Sequence, residues 1–221
     1  MGKPFCVWKD VYLVGGAGLT HEADCSVYLV NCGDLVLVDT GAGLAFDRIV
    51  ANIESLGFEP KRLRAIILTH AHIDHIGSAW QFKQEFKSHI IVHELDAGAV
   101  ETGKGIGAEY YGVAYHPCAV NEKLKGVENT LKYGPHEFHI LHIPGHTPGS
   151  IAVYIDMDKR VLFGQDIHGP YFLAGADPVK AKSSLQKLAN LQADILCEGH
   201  FGIIQPKEAV KQYIESFVNG L

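Results

Sequence analysis

Apolar and polar residues alternate from Phe5 to Val14 and again from Ser26 to Val30, the period of strands with one buried face. Leu35 to Val38 is apolar without a break, as in a strand buried on both sides. Gly15, Gly16, Gly18 and Gly33 punctuate these runs, so the chain opens as a predicted β-meander. From Ala45 the period changes. Phe46, Ile49, Val50 and Ile53 share one face of a helix that ends near Leu56, with Gly57 as its stop. Ala65 to Leu68 predicts another buried strand. Ser78 to Phe86 has helical spacing in Ala79, Phe82 and Phe86, and strand then helix recurs in His89 to Val92 and Glu94 to Val100. Thr102 to Gly112 is rich in glycine, predicts no regular element, and suits a loop over a pocket. Further on, His136 to Ile143 is strand-like, and Ile151 to Ile155 with Arg160 to Phe163 predicts a hairpin turning at Asp156 to Lys159. Val179 to Leu191 is an amphipathic helix, Asp194 to Cys197 a strand, and Pro206 to Val218 a closing helix with proline at its start.

Composition narrows the class. With 221 residues, 47% of them hydrophobic, the chain can bury one substantial core, and a single domain over residues 1–221 is expected. A formal charge of -6 gives no general attraction to phosphate backbones, which points away from nucleic acid. Lys9 and Asp10 interrupt any apolar core in the first sixteen residues, and no later stretch reaches membrane-spanning length. Neither signal peptide nor membrane anchor is expected, and a cytoplasmic location follows. Cys6, Cys25, Cys32, Cys118 and Cys197 are odd in number and lack CxxC spacing, so they read as reduced and mostly buried thiols.

The chemistry concentrates in Thr69-His70-Ala71-His72-Ile73-Asp74-His75. Imidazole nitrogen and carboxylate oxygen are donors that suit a borderline divalent ion such as zinc, and four fall within six residues. A helix would send His72 away from His70 and Asp74. An extended segment puts His70, His72 and Asp74 on one side and needs a turn only for His75. The motif follows one predicted strand and precedes one predicted helix, where α/β folds place their chemistry.

The same theme returns downstream. Pro144-Gly145-His146-Thr147-Pro148-Gly149 fixes one histidine in a tight loop, a rigidity that suits a ligand. The hairpin delivers Asp166, whose two oxygens can bridge two ions. His200 stands just past the strand that ends at Cys197. Asp39, in Asp39-Thr40-Gly41, is either a ligand or a carboxylate satisfying backbone amides in a turn. His89, His93, His136, His139 and His142 fit ordinary strand positions.

These residues together resemble the metallo-β-lactamase fold superfamily. Its HxHxDH motif and its later His, Asp and His are matched by His70-Ala71-His72-Ile73-Asp74-His75, His146, Asp166 and His200, over a span from Val27 to His200. The resemblance implies an α/β fold, a four-layer αβ/βα sandwich of mixed sheets with metals at one edge. It implies that His70, His72 and His146 hold one ion, that Asp74, His75 and His200 hold a second, and that Asp166 bridges them. The implied cofactor is two divalent ions, zinc first, with iron and manganese as options.

The implied activity is hydrolysis of an ester-like bond in a small molecule, a thioester, lactone or related ester, by a metal-bridging hydroxide. Asp74 would orient that hydroxide and pass a proton to the leaving group. Asp166 at the bridging position points away from secreted antibiotic-hydrolysing members. Glyoxalase II is similar in ligand set and in Gly145-His146-Thr147-Pro148-Gly149, yet His168-Gly169-Pro170-Tyr171-Phe172 stands where that family has a Gly-Cys-Gly-Arg-type segment. Its helical glutathione-binding domain also finds no counterpart in the 21 residues after His200. One alternative is a mononuclear iron persulfide dioxygenase using His70, His146 and Asp166; another is a non-catalytic metal-binding scaffold. His168 and Tyr171 are candidate substrate contacts, and so are Tyr110 and Tyr111 in the glycine-rich loop, with plain packing as the alternative for each.

Overall fold

A computed structural model describes residues 2–221. The first half runs β1 (Phe5–Trp8), β2 (Val11–Gly15), β3 (Val27–Cys32), β4 (Asp34–Val38), α1 (Phe46–Ser55), β5 (Leu63–Ile67), α2 (Ile73–Ile76), α3 (Ala79–Phe86), β6 (His89–His93), α4 (Glu94–Thr102), α5 (Ala108–Tyr111) and β7 (Glu122–Leu124). The second runs β8 (Glu128–Tyr133), β9 (His136–His142), β10 (Ile151–Asp156), β11 (Arg160–Gly164), α6 (Pro178–Asn190), β12 (Ile195–Glu198), β13 (Ile203–Ile204) and α7 (Lys207–Gly220). Strands β1 to β7 form one sheet in sequence order, and the other sheet is ordered β13-β12-β11-β10-β9-β8. Both are mixed. β1 to β4 are antiparallel neighbours and β4 to β7 are parallel, while β11 and β12 make the parallel pair of the second sheet.

Side-chain alternation sorts the apolar residues into three buried layers. On β4, Leu35 and Leu37 face the helices with Ile49, Ile53 and Phe82, whereas Val36 and Val38 face the other sheet. Val153 and Ile155 of β10 meet that inner layer, and Ala152 points the other way with Leu162 and Leu196 towards Leu185, Val210 and Ile214 of α6 and α7. The result is helix, sheet, sheet, helix, as the resemblance implied. Runs such as Leu35 to Val38 are apolar throughout because both of their faces are covered.

Three local expectations are corrected. The stretch Phe5 to Val14 is two strands, because Lys9 takes a left-handed conformation and Trp8 pairs with Val11 across a tight turn. The segment from Thr102 to Gly112 is not wholly irregular: Ala108–Tyr111 forms one helical turn between Gly107 and Gly112, both left-handed. Asp74 is not on an extended segment, since it shares the helical turn Ile73–Ile76 with His75. The strands β7, β8 and β13 went unpredicted. Among the described residues, no helix is long and apolar enough to cross a membrane.

Candidate metal centre

The strand ends of both sheets meet at one edge. β5 leads into the loop that carries His70 and His72, and α2 then turns Asp74 and His75 towards the same point. His146 follows β9, Asp166 follows β11, and His200 follows β12. The sheets are tied together there by backbone: the amide of Ile151 donates to the carbonyl of Thr69 at 2.8 Å and the amide of Ser26 to that of Gly199 at 2.7 Å. All seven residues singled out in the sequence therefore converge.

They converge as two overlapping groups. Donor atoms of His70, His72, His146 and Asp166 lie within 4.8 Å of one another, and so do those of Asp74, His75, Asp166 and His200. Asp166 divides its oxygens between them. Oδ2 lies 3.3 Å from Nε2 of His146 and 3.8 Å from Nε2 of His70, whereas Oδ1 lies 3.3 Å from Nε2 of His75 and 3.2 Å from Nε2 of His200. Asp74 Oδ2 completes the second group, 3.2 Å from His200 Nε2 and 3.5 Å from His75 Nε2.

Polar atoms buried without hydrogen-bond partners test the fit to cations. Nε2 of His70, Nε2 of His75 and Oδ1 of Asp166 are in that state, and all three point into the shared space. A buried group left so demands an explanation, and a divalent ion satisfies nitrogen and carboxylate donors at once. The donor set fits. A third group, Cys25, Asp39 and His75, also has the atoms for a site. However, Asp39 already accepts from the amide and hydroxyl of Thr69, at 2.8 and 2.7 Å, and bonds His75 Nδ1 at 2.8 Å. Of the two sequence readings of Asp39, the turn carboxylate is the one these bonds support. It satisfies a turn, in a left-handed conformation, and it orients a histidine from behind.

Protonation follows burial and charge. Burial, helped by the neighbouring histidines, pushes His72 down to about 4 and holds His70 well below the usual range, so both are neutral at pH 7. His200 goes the other way: burial opposes it, but the carboxylates of Asp166 and Asp74, each 3.2 Å from its Nε2, raise it to about 9. His75 is raised as well, against burial, by Cys25, Asp166, Asp74 and Asp39 around it. The carboxyl of Asp166 is held well below its ordinary range by the surrounding histidines despite its burial.

Two carboxylates missed in the sequence hold the centre in shape. Asp96, buried in the first turn of α4, accepts from the Ala71 amide at 3.0 Å, the Thr147 hydroxyl at 2.7 Å and the Gly149 amide at 2.7 Å. It thereby binds the loop of His70 and His72 to the loop of His146, where His146 Nε2 and His72 Nδ1 come within 2.8 Å. Glu198, fully buried at the end of β12, accepts from the amides of His200 and Phe201 and bonds His168 Nδ1 at 2.7 Å. Gly199 is required between them, because a Cβ there would stand 2.6 Å from Asp166 Oδ1. An acid beside the buried helix positions Ala97 and Val100 was the available signal for Asp96.

Residues 22–200 match the family model described as the metallo-beta-lactamase superfamily. The chain belongs to that superfamily. Among its relatives, hydroxyacylglutathione hydrolase GloC of Haemophilus influenzae is 31% identical over 148 residues, covering 66% of this chain and 66% of the relative. An N-acyl homoserine lactonase from a Bacillus species is 33% identical over 151 residues, or 64% and 56% of the two chains. Of solved structures, a metallo-beta-lactamase of Cronobacter sakazakii superposes with a TM-score of 0.83 at 20% identity, covering 99% of this chain and 96% of that one. At that identity the likeness is one of fold. The superfamily fold implies divalent metal ions, and the two donor groups stand at the sheet edge where the resemblance put them.

Proposed function

We propose that this metal-dependent hydrolase cleaves an ester-like bond, in a thioester, lactone or related ester, with two divalent ions held at the sheet edge. His70, His72 and His146 would hold one ion, Asp74, His75 and His200 the other, and Asp166 both. The observation that carries this reading is the division of the Asp166 oxygens between two separate groups of donors. The relatives that act on a thioester and on a lactone, by their names, support the substrate class.

When bound, such ions supply an acidified water near neutral pH and an electrophile for the substrate carbonyl. The chain's own residues do the rest. His70 and His72 present neutral nitrogens, because burial keeps protons off them. Asp39 fixes the ring of His75, and the Pro170 carbonyl, 3.1 Å from Nδ1, fixes that of His146. Asp74 is buried in the second group with Oδ2 3.2 Å from Nε2 of the more exposed His200, and its carboxylate would take a proton from the attacking water and return it to the leaving group. Tyr111, from α5, approaches Asp74; burial first and that charge second push its hydroxyl up to about 12, so it stays a donor.

Asp74, His75 and His200, three donors of the second group, have no part in a mononuclear dioxygenase that uses His70, His146 and Asp166, which favours the hydrolytic reading over that alternative. Metal analysis of protein purified without added metal, joined to an ester, thioester and lactone panel, tests it. About two ions per chain and hydrolysis that chelation abolishes are expected. A single iron with thiol-dependent oxygen uptake would overturn it.

A further inference from the structure

Beside the centre, the segment after Asp166 and the helix α7 enclose a groove of about 380 Å³. Pro170, Tyr171, Phe172, Pro178, Phe217 and Leu221 form its walls, and none of these side chains carries a charge. His168 closes the inner end, its ring edge-on to His200 with centroids 5.7 Å apart and to Phe201 at 4.7 Å. The groove thus ends at His168, whose ring abuts His200 of the second donor group. It is also rigidly joined to the first, because the Pro170 carbonyl bonds His146.

The hydroxyls at this face and His168 Nδ1 already have partners within the protein. Tyr171 donates its hydroxyl to the Ile167 carbonyl at 2.5 Å, and His168 is bound to Glu198. What remains for a ligand is apolar surface. Phe172 is 85% exposed and Phe201 65%, two aromatic rings left in water at the rim of the centre. Such surface gains nothing in folding and is expected where an apolar group binds. A glutathione or nucleotide portion would bring carboxylates or phosphates, for which the groove lining supplies no cation.

We infer that this groove receives the apolar acyl group of the substrate, so that the enzyme prefers esters, thioesters or lactones of medium-chain aliphatic or aromatic acids. The inference rests on the hydrolase reading above. It assigns Phe172 and Phe217 to selectivity and leaves the bond-breaking step to the metal centre.

The test is a series of p-nitrophenyl esters and matching thioesters from acetyl to decanoyl, hydrolysed by the metal-loaded protein. kcat/KM is expected to rise about threefold for each added methylene until the groove is full. Phe172→Ser, at an exposed position that folding does not need, lowers the ratio of octanoyl to acetyl kcat/KM by about tenfold or more. Phe217→Trp, which narrows the groove, shifts the preferred acyl group to a shorter one. A series that is flat with chain length, or a ratio unchanged in both variants while acetyl ester is still hydrolysed, overturns the groove alone. Absence of hydrolysis on every ester overturns the hydrolase reading, and the groove with it.

Discussion

Replacing Asp96 tests whether the centre is aligned from behind. In Asp96→Ala the amides of Ala71 and Gly149 lose their acceptors, while Thr147 keeps its contact with Ser150 Oγ at 2.8 Å. Asp96 is 3% exposed, so water does not simply replace it. Two buried donors left unpaired cost about 1–3 kcal/mol each, which lowers the unfolding free energy by about 2–6 kcal/mol. Asp96→Asn is the more informative change. Its single carbonyl oxygen can serve Gly149 or Ala71 but not both, so about half of that loss is expected. The same change lets the His146 loop drift from His72, and weakening of the first ion by about 10–100-fold follows, as for other partners behind a ligand. Urea unfolding of chelator-treated protein reads the first effect, and competition with a chelating dye reads the second. If Asp96→Asn unfolds at the wild-type midpoint and keeps both ions with wild-type affinity, the argument for Asp96 is refuted.

Further outcomes follow from the centre. Because His200 is raised to about 9 and His75 is raised as well, filling the second group at pH 7 displaces protons. Affinity for the second ion should climb between pH 7 and pH 9, while the first, served by neutral His70 and His72, changes little; calorimetry in buffers of different ionisation enthalpy would show no proton release if this is wrong. In metal-free protein the stability effects have opposite signs. His72, pushed down to about 4, withdraws stability as pH falls from about 6.5 towards 4, whereas the contribution of His200 is complete below about 6.5 and fades as pH rises through 9; thermal unfolding against pH checks both. Asp39→Asn should retain the left-handed turn but weaken the hold on His75, reducing affinity for the second ion by about 10–100-fold in the same dye competition. Gly77→Ala places a Cβ onto the Ala42 backbone and should destabilise by about 3 kcal/mol or more, unlike Gly98→Ala, where the space is open.

Much of the centre was legible because its evidence is local. Three histidines and an aspartate at fixed spacing need no knowledge of tertiary structure, and Gly145-His146-Thr147-Pro148-Gly149 declares its rigidity in its own residues. Strands buried on both faces, such as Leu35 to Val38, were equally plain. What escaped is what depends on partners far along the chain. β8 alternates between exposed and half-buried residues along Glu128–Tyr133, so its sequence carries little apolar signal until β9 pairs with it. Asp96 looks like any acid in the first turn of a helix, where the dipole alone would favour it. Glu198 is an acid two residues before a histidine, and only the fold shows that it is fully buried. The extended path assigned to Asp74 failed for a related reason: Ile73 and Ile76 are both drawn into the helix-side core, which a helical turn allows.

The ligand set is shared between the sheets. Four residues come from the loop and helical turn after β5 and three from strand ends of the second sheet, so neither half of the molecule holds a complete set for either ion, counting Asp166. A chain cut in the turn between β7 and β8 would yield two fragments, each with its own sheet and each with an incomplete grip. Reassembly of such fragments would then answer to the concentration of divalent ions, and the cations would act as a buckle joining two halves that the polypeptide no longer connects.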